Sequence, residues 1–507
     1  MAGLNFKNAL VSVSDKTGLA DFLRPLVANG LRILSTGGTA KYLQENGIPI
    51  VQVSDQTKFP EVMDGRVKTL HPNIHMALLA RTDNAEDTQL LKKYGVDPID
   101  LVIVNLYPFE DALKKQLPEG DLIEFIDIGG PSMLRSAAKS FARIAVVCDP
   151  RDYQWIQQKE KLTFSDHKKL AAKVFAHTAA YDSMIANTLA NQDLEHFCLG
   201  GEMISGLRYG ENPQQKAVWY RQKGQDTGLH RASILQGKEL SYNNILDLEA
   251  ACATLREFSE PCTVAVKHNN PCGVGLGVDG RESVERAFAA DPVSVFGGIV
   301  AINVAVDAIM AEQLNKVFLE CVIAPKIDSS AVAVFSKKKN LRILEWPEMK
   351  QQKSSTQIKS VSGGFLVQTA DEVQAWDESW QCLREKPNEE IRDAIALAWK
   401  VCANLKSNAI AIASSRQTLG MGMGQVNRVD AVEQAIGRMN QHHPGQKNIA
   451  LASDAFFPFA DSIEHIARAG IRWVVQPGGS VRDEEVINRA DQLGVNLVMT
   501  GRRHFRH

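Results

Sequence analysis

Apolar runs of strand length alternate with amphipathic stretches of helix length from the start of this chain. Residues 9–13 are apolar, residues 18–29 repeat their apolar positions at helical spacing, residues 31–34 are apolar again, and residues 39–46 return to the helical period. That alternation predicts a parallel α/β sheet. It continues through residues 101–106, a near-continuous apolar strand, then a predicted helix over 131–141 and a strand over 144–148. A helical stretch over 167–192 closes the unit, and Gly200-Gly201 reads as a loop. A domain boundary is expected there, dividing 1–199 from 200–507.

In the second part, the apolar run 263–266 leads straight into Lys267-His268-Asn269-Asn270-Pro271-Cys272-Gly273. A strand end fixes the backbone while the loop exposes side chains, and Asn-Pro followed by Gly predicts a sharp turn that presents a cation and an imidazole to a cleft. The polar stretch 337–364, with Lys337, Lys338 and Lys339, is expected to be a solvated connection between two sub-domains. Beyond it, 388–402 reads as a helix, and 409–413, 472–476 and 496–499 read as strands. No short-period repeat is visible, so a solenoid is not expected.

At 507 residues, the chain is long enough for about three domains of ~150 residues. A formal charge of −2 and a pI near 6.7 supply no field for non-specific nucleic-acid or membrane binding, so phosphate recognition must come from local clusters. Eight cysteines without C-x-x-C spacing predict buried reduced thiols and a cytoplasmic protein. The short apolar stretch 9–13 runs into Asp15 and Lys16, unlike a signal peptide, and no run reaches the ~18 apolar residues of a membrane helix.

Three turns in the first part each follow an apolar run and precede a helical one: Ser12-Val13-Ser14-Asp15-Lys16-Thr17-Gly18, Ser35-Thr36-Gly37-Gly38-Thr39 and Asp127-Ile128-Gly129-Gly130-Pro131. Capping explains any one of them. Three in one sheet predict a phosphate site, since such turns aim N–H groups at an anion. Lys16, Arg66, Lys68 and Lys139, with Thr69, could converge on it. There is no G-x-x-x-x-G-K-[ST], so no P-loop is expected. Gly275, Gly277 and Gly280 match G-x-G-x-x-G, but no strand is predicted to run directly into them, and a flexible turn is the expectation. His71 and His75 are four apart without the zinc-protease glutamate, so capping or packing is expected of them. Pro271-Cys272 lacks the second cysteine of P-C-x-x-C, which argues against zinc. In Ser453-Asp454-Ala455-Phe456-Phe457-Pro458-Phe459, Phe457 and Phe459 are expected in the core.

Taken in order, Ser12-Val13-Ser14-Asp15-Lys16, Arg208-Tyr209-Gly210, Lys267-His268, Phe296-Gly297-Gly298, the Ser453–Phe459 motif and the terminal His507 resemble the family of bifunctional purine-biosynthesis proteins that join AICAR formyltransferase to IMP cyclohydrolase. The resemblance spans essentially the whole chain. It implies a methylglyoxal-synthase-like parallel-sheet domain carrying the cyclohydrolase, followed by a formyltransferase of two cytidine-deaminase-like α/β sub-domains without catalytic metal. It also implies 10-formyltetrahydrofolate as co-substrate, AICAR, formyl-AICAR and IMP as the other small molecules, and a homodimer.

Carried over residue by residue, the resemblance makes Lys267, His268 and Asn408 catalytic in formyl transfer. Nucleotide contacts fall on Arg208, Tyr209, Gly297, Glu320, Arg428 and His507, and folate contacts on Phe456, Ser480, Val481 and Arg503. For the cyclohydrolase it implies Lys68, Tyr107, Asp127 and Lys139 around the formylated intermediate. Ser14, Lys16, Ser35, Thr36, Gly37, Gly38, Thr39, Arg66, Thr69, Asn105 and Ile128 hold the substrate. The chain departs from the family pattern at Gln214, often histidine, and at Glu320, aspartate in vertebrate-type members. Two other readings stand beside this one: an N-terminal sheet that only senses a ligand, and a zinc deaminase.

Overall fold

The computed structural model describes residues 4–190, 195–351 and 356–507. The chain forms two compact units, 1–203 with 220–225, and 204–219 with 226–507. The division runs through a hairpin of β6 (Gly201–Leu207) and β7 (Ala217–Gln222).

The first unit is built on β1 (Asn8–Ser12), β2 (Arg32–Ser35), β3 (Val51–Gln52), β4 (Leu101–Val104) and β5 (Ala145–Val147). They form one sheet in the order β3-β2-β1-β4-β5, and every neighbouring pair is parallel. The apolar runs are continuous because both faces are covered: β4 is buried at all four positions. Helices Leu19–Ala28, Gly37–Glu45 and Gly129–Lys139 lie where the period predicts them. The long helix Phe164–Leu189 starts at a capping box, Thr163 with Asp166. Residues 191 and 192 of its predicted span lie outside the described residues. Strand order reverses between β1 and β4, the place where open α/β sheets leave a crevice at the carboxyl ends of their strands.

The second unit holds two six-stranded sheets. One uses β8 (Ser233–Gln236), β9 (Cys262–Lys267), β10 (Asn270–Leu276), β11 (Gly298–Ile302), β12 (Leu319–Ala324) and β13 (Arg342–Glu345) in the order β10-β9-β11-β12-β13-β8. An exposed hairpin follows, β14 (Thr356–Val361) with β15 (Gly364–Thr369). The other sheet uses β16 (Gln381–Cys382), β17 (Ile410–Ala413), β18 (Thr418–Gly422), β19 (Ala450–Ser453), β20 (Trp473–Gln476) and β21 (Asn496–Met499). Its order, β18-β17-β19-β20-β21-β16, repeats the first sheet strand for strand, with the same parallel and antiparallel pairs.

Three expectations need correction here. Part of the stretch 337–364 is core: β13 belongs to the first sheet, and Trp346 and Met349 beyond it are 1% exposed. Lys337 and Lys339 before β13 and the later hairpin are exposed. Pro271 and Cys272 lie inside β10 rather than in a turn; β10 is an edge strand, where a missing N–H breaks no interior ladder. β10 also runs directly into the G-x-G-x-x-G glycines and the helix Gly280–Ala290 follows them. The reason for glycine there is packing: a Cβ on Gly273 or Gly275 would come within 2.1 and 2.4 Å of backbone atoms of Ala287.

No helix among the described residues is long and apolar enough to cross a membrane. All eight cysteines are free, and six are buried.

Candidate functional site

A cavity of about 800 Å³ opens at the carboxyl ends of β1 and β4. Ser14 and Lys16 reach it from the loop after β1, and Asn105 and Tyr107 from the loop after β4. Asn105 braces the first loop, accepting the N–H groups of Ser14 (2.6 Å) and Asp15 (2.9 Å) and donating to Asp15 O (2.8 Å). Thr36, Gly37, Gly38 and Thr39 present the start of helix Gly37–Glu45, which has no side-chain cap, so its first N–H groups face the cavity. The Lys68 ammonium lies over that start: a Cβ on Gly37 would be 2.8 Å from Nζ, and Gly37 has φ +56°. A cation against the positive end of a helix calls for an anion to share.

Asp127, Ile128 and Gly129 line the opposite wall. Asp127 Oδ1 accepts Gly130 N–H at 2.8 Å, and Tyr181 OH holds this corner by accepting Asp127 N–H (2.9 Å) and donating to Phe125 O (3.1 Å). Both glycines are sterically required, since a Cβ on Gly129 would be 2.5 Å from Thr69 Oγ1 and one on Gly130 2.4 Å from Asp127 Oδ2. Burial pushes the Asp127 carboxyl above its usual range, against hydrogen bonds from Gly130 and Tyr107 that lower it. The Tyr107 hydroxyl is pushed up by burial and by the Asp127 charge.

Two expected members stand elsewhere. Ser35 faces inward, fully buried, and donates to Val11 O at 2.8 Å. Lys139 is exposed in the last turn of helix Gly129–Lys139, about 15 Å along the axis from Gly129 at 1.5 Å per residue. The helix Leu19–Ala28 also begins outside the lining, which takes only the loop before it. One residue that sequence reasoning missed is Glu124, whose Oε2 pairs with Arg66 at 2.7 Å on the rim.

In the second unit, β9 and β10 are joined by His268 and Asn269 alone, at φ +54° and +62°. Lys267 ends β9; its Nζ donates to Phe296 O at 2.8 Å and lies 4.0 Å from a Cβ built on Gly297. Phe296 and Phe318, rings 5.4 Å apart and half-exposed, stand at the same sheet end. Glu320 follows on β12, paired with Arg342 at 3.0 Å. Arg208, its guanidinium over the Tyr209 ring, lies in a loop tied to helix Tyr242–Leu255 by Asn243 Nδ2 donating to Glu211 O. Asn270 ties the turn to the other sheet: Nδ2 donates to His268 O (3.0 Å), and Oδ1 accepts Lys406 N–H (3.0 Å).

Asn408 follows two residues later, after a cis Ser407–Asn408 peptide. Its Oδ1 accepts Arg428 Nη2 at 2.8 Å, and its Nδ2 donates to Gln425 O at 2.9 Å. Arg428, a nucleotide contact by the resemblance, thus spends part of its guanidinium on Asn408. It is buried, and it also donates to Ala409 O and pairs with the fully buried Asp454. Asp454 in turn accepts Ser407 Oγ at 2.5 Å. Phe456 follows β19, Ser480 and Val481 follow β20, and Arg503 follows β21, all at carboxyl ends of parallel strands. Phe457 is core as expected, but Phe459 is 48% exposed with the Arg482 guanidinium over its ring at 4.7 Å. His507 is exposed, its carbonyl accepting Lys359 Nζ at 2.8 Å.

The expected roles of His71 and His75 hold: His71 Nδ1 caps helix Pro72–Leu79, and His75 meets Ser136 Oγ at 3.0 Å. Among the described residues, no group of three or more His, Cys, Asp or Glu is placed to hold a metal ion.

Comparison with known proteins covers both units. A model of the family described as AICARFT/IMPCHase bienzyme matches residues 137–438, and one described as MGS-like domain matches residues 18–132. The chain is 48% identical over 512 residues to the bifunctional purine biosynthesis protein PurH of Bacillus mycoides (strain KBAB4), covering 99% of this chain and all of the relative. It is 48% identical over 513 residues to PurH of Bacillus cereus (strain ATCC 10987 / NRS 248), with the same coverage. The chain belongs to the AICARFT/IMPCHase bienzyme family.

Phe456, Ser480, Val481, Arg503 and His507 lie beyond the span of the AICARFT/IMPCHase model but within the reach of the full-length relatives. A solved structure titled "Crystal structure of ForH" shares 31% identity over 36% of this chain and 99% of its own, with a TM-score of 0.33.

Proposed function

We propose that the second unit transfers the formyl group and the first closes the ring. The enzyme moves formyl from 10-formyltetrahydrofolate to the 5-amino group of AICAR, then cyclises formyl-AICAR to IMP with loss of water. The observation that supports this division is the presence of two chemically different strand-end sites, one in each unit of a bienzyme family member.

In the transfer, the AICAR amine attacks the formyl carbon, the carbon–N10 bond breaks, and folate nitrogen leaves with a proton. The amine is a weak nucleophile, so a base must take its proton, and we assign that role to His268 in the turn between β9 and β10. Lys267 faces the developing oxyanion and the departing nitrogen, and Asn408 orients the substrate. Arg428 acts through Asn408. Folate lies toward Phe456, Ser480, Val481 and Arg503.

In the cyclisation, the carboxamide nitrogen attacks the formyl carbon and water leaves. The reaction is intramolecular, so orientation supplies much of the acceleration. The phosphate rests on Lys16, Lys68 and the start of helix Gly37–Glu45, and Asp127 moves the proton beside Tyr107. Lys139 belongs in this chemistry only if a second copy brings it to the cavity.

A homodimer is proposed with it: every residue of the β14–β15 hairpin is exposed, Phe365, Leu366 and Val367 included, and a lone two-stranded hairpin needs a covering surface. The duplicated sheet supports two sub-domains of cytidine-deaminase-like descent, and the free, mostly buried thiols support a reducing, cytoplasmic setting.

The test supplies purified protein with AICAR and 10-formyltetrahydrofolate, and separately with formyl-AICAR. Tetrahydrofolate in the first mixture and enzyme-dependent IMP in both are expected. Lys68→Ala should lose the second reaction and keep the first. Formyl-AICAR that cyclises no faster than its blank would leave the first unit a ligand sensor.

A further inference from the structure

Only two residues turn the chain from β9 to β10, and both have left-handed φ, a region that His and Asn tolerate better than most but that disfavours any residue with a Cβ. Something must hold them there. Beneath the turn lies Asp247, half-buried on helix Tyr242–Leu255. Its Oδ1 accepts Asn269 N–H at 2.6 Å. With the Asn269 amide turned so that its nitrogen faces acceptors, that nitrogen also reaches Asp247 Oδ1 at 3.3 Å and Leu246 O at 3.1 Å.

Burial pushes the Asp247 carboxyl above its usual range, and the Asn269 amide, the His268 charge and the His268 amide all pull it down. Cys272 and Cys321 also feel its charge, but burial pushes both thiols up to about 12 and they stay neutral. The second half of this unit supplies a control. The helix Glu389–Cys402 repeats Tyr242–Leu255 at an offset of 147 positions, and the residue equivalent to Asp247 is Ala394, fully buried. The turn above Ala394, Ser414 to Gln417, has no residue at positive φ. The carboxylate and the strained turn occur together and are absent together.

We infer that Asp247 is a positioning residue for formyl transfer: it clamps the His268-Asn269 turn and keeps a negative charge beside the imidazole as that ring takes the proton. This rests on His268 as the base. A carboxylate there favours the charged form of the ring, which exists only after the proton has moved, so the effect belongs to turnover rather than to substrate binding.

Asp247→Asn keeps an oxygen for the Asn269 amide and removes the charge; Asp247→Ala removes both. With AICAR and 10-formyltetrahydrofolate, kcat should fall about 10-fold in the first and about 100-fold in the second, with KM for AICAR within about 3-fold. In a His268→Ala background, neither change should cost more than about a further 2-fold. Wild-type kcat in both Asp247 variants, while His268→Ala is inactive, overturns the inference and leaves the base assignment intact. An equal loss with and without His268 also overturns it, making Asp247 a structural residue only. Near-normal turnover in His268→Ala removes the base assignment itself. The near-isosteric Asp247→Asn carries the test if Asp247→Ala does not fold.

Discussion

Lys267 and His268 stand at the tip of the β9–β10 hairpin; 147 positions on, the tip of β17–β18 carries Ser414 and Ser415. The two hairpins meet along β10 and β18, where Val274 N–H donates to Thr418 Oγ1 and Leu276 N–H donates to Arg416 O. Each tip therefore lies against the base of the other hairpin. The first tip, through Asn270 and Lys406, touches the base that bears Asn408. The second spends its polar groups on itself: Ser414 Oγ accepts Gln417 N–H at 3.2 Å and Arg416 N–H at 3.3 Å. One topology, used twice, builds two equivalent junctions that differ in the side chains they carry. The scaffold supplies placement, and side chains decide activity.

The largest expected effect separates the two tips directly. His268→Ala should lower kcat for formyl transfer by about 1,000-fold, the middle of the range for a lost general base, while Ser415→Ala should stay within about 2-fold. Tetrahydrofolate release measures both. A large loss at Ser415 would mean that the second junction also works in the reaction.

Two ion pairs of the second unit differ in burial. Arg281 pairs with Asp307 at 2.7 Å, both partly exposed, whereas Arg428 pairs with Asp454, with side chains 5% and 0% exposed. Removing one partner of a buried pair strands the other charge, so Arg428→Ala should cost about 3–5 kcal/mol of stability and misplace Asn408. Arg281→Ala should leave the denaturation midpoint unchanged within scatter, because water replaces its partner. Urea titration followed by tryptophan fluorescence checks both. Equal costs would mean that the first pair is covered in solution.

Much of the first unit was legible because its signal is local. Strands buried on both faces read as apolar runs, helices between them keep their period, and glycine turns mark the carboxyl ends where the cavity opens. What stayed hidden depends on facing. Ser35 and Thr36 are neighbours, yet one hydroxyl points into the sheet and the other wall-ward to the cavity and Glu61. Lys139 sits on the right helix at the wrong end. In the second unit the 147-residue duplication was invisible because topology is retained while identities diverge, as Asp247 against Ala394 and His268 against Ser415 illustrate. The burial of Arg428 and Asp454 was also hidden, since only a folded partner makes a buried charge tolerable.

The glycines should respond alike in both halves, which tests whether the duplication is one of packing. A Cβ on Gly273 would stand 2.1 Å from Ala287 O, and one on Gly420 2.1 Å from Ala435 O. Backbone cannot yield as a flexible side chain can, so each alanine should cost about 3 kcal/mol. A gap of more than about 1.5 kcal/mol between the two variants would show that one helix has room to move where the other has none.

The smallest expected effect is the sharpest for the comparison. Arg416 is exposed at the second tip and has a basic side chain, as Lys267 does at the first, so a silent second site would have to use it. Its charge acts on Asp393, where burial raises the carboxyl and Arg416 lowers it, and its backbone carbonyl, which accepts Leu276 N–H at 2.7 Å, survives any side-chain change. Arg416→Ala should therefore change neither tetrahydrofolate release nor IMP formation by more than about 2-fold, because surface substitutions away from a site stay within about 0.5 kcal/mol. A fall in kcat with the midpoint unmoved would place a working group at the junction that topology makes equivalent. A fall in the midpoint alone would assign Arg416 to holding the hairpins together.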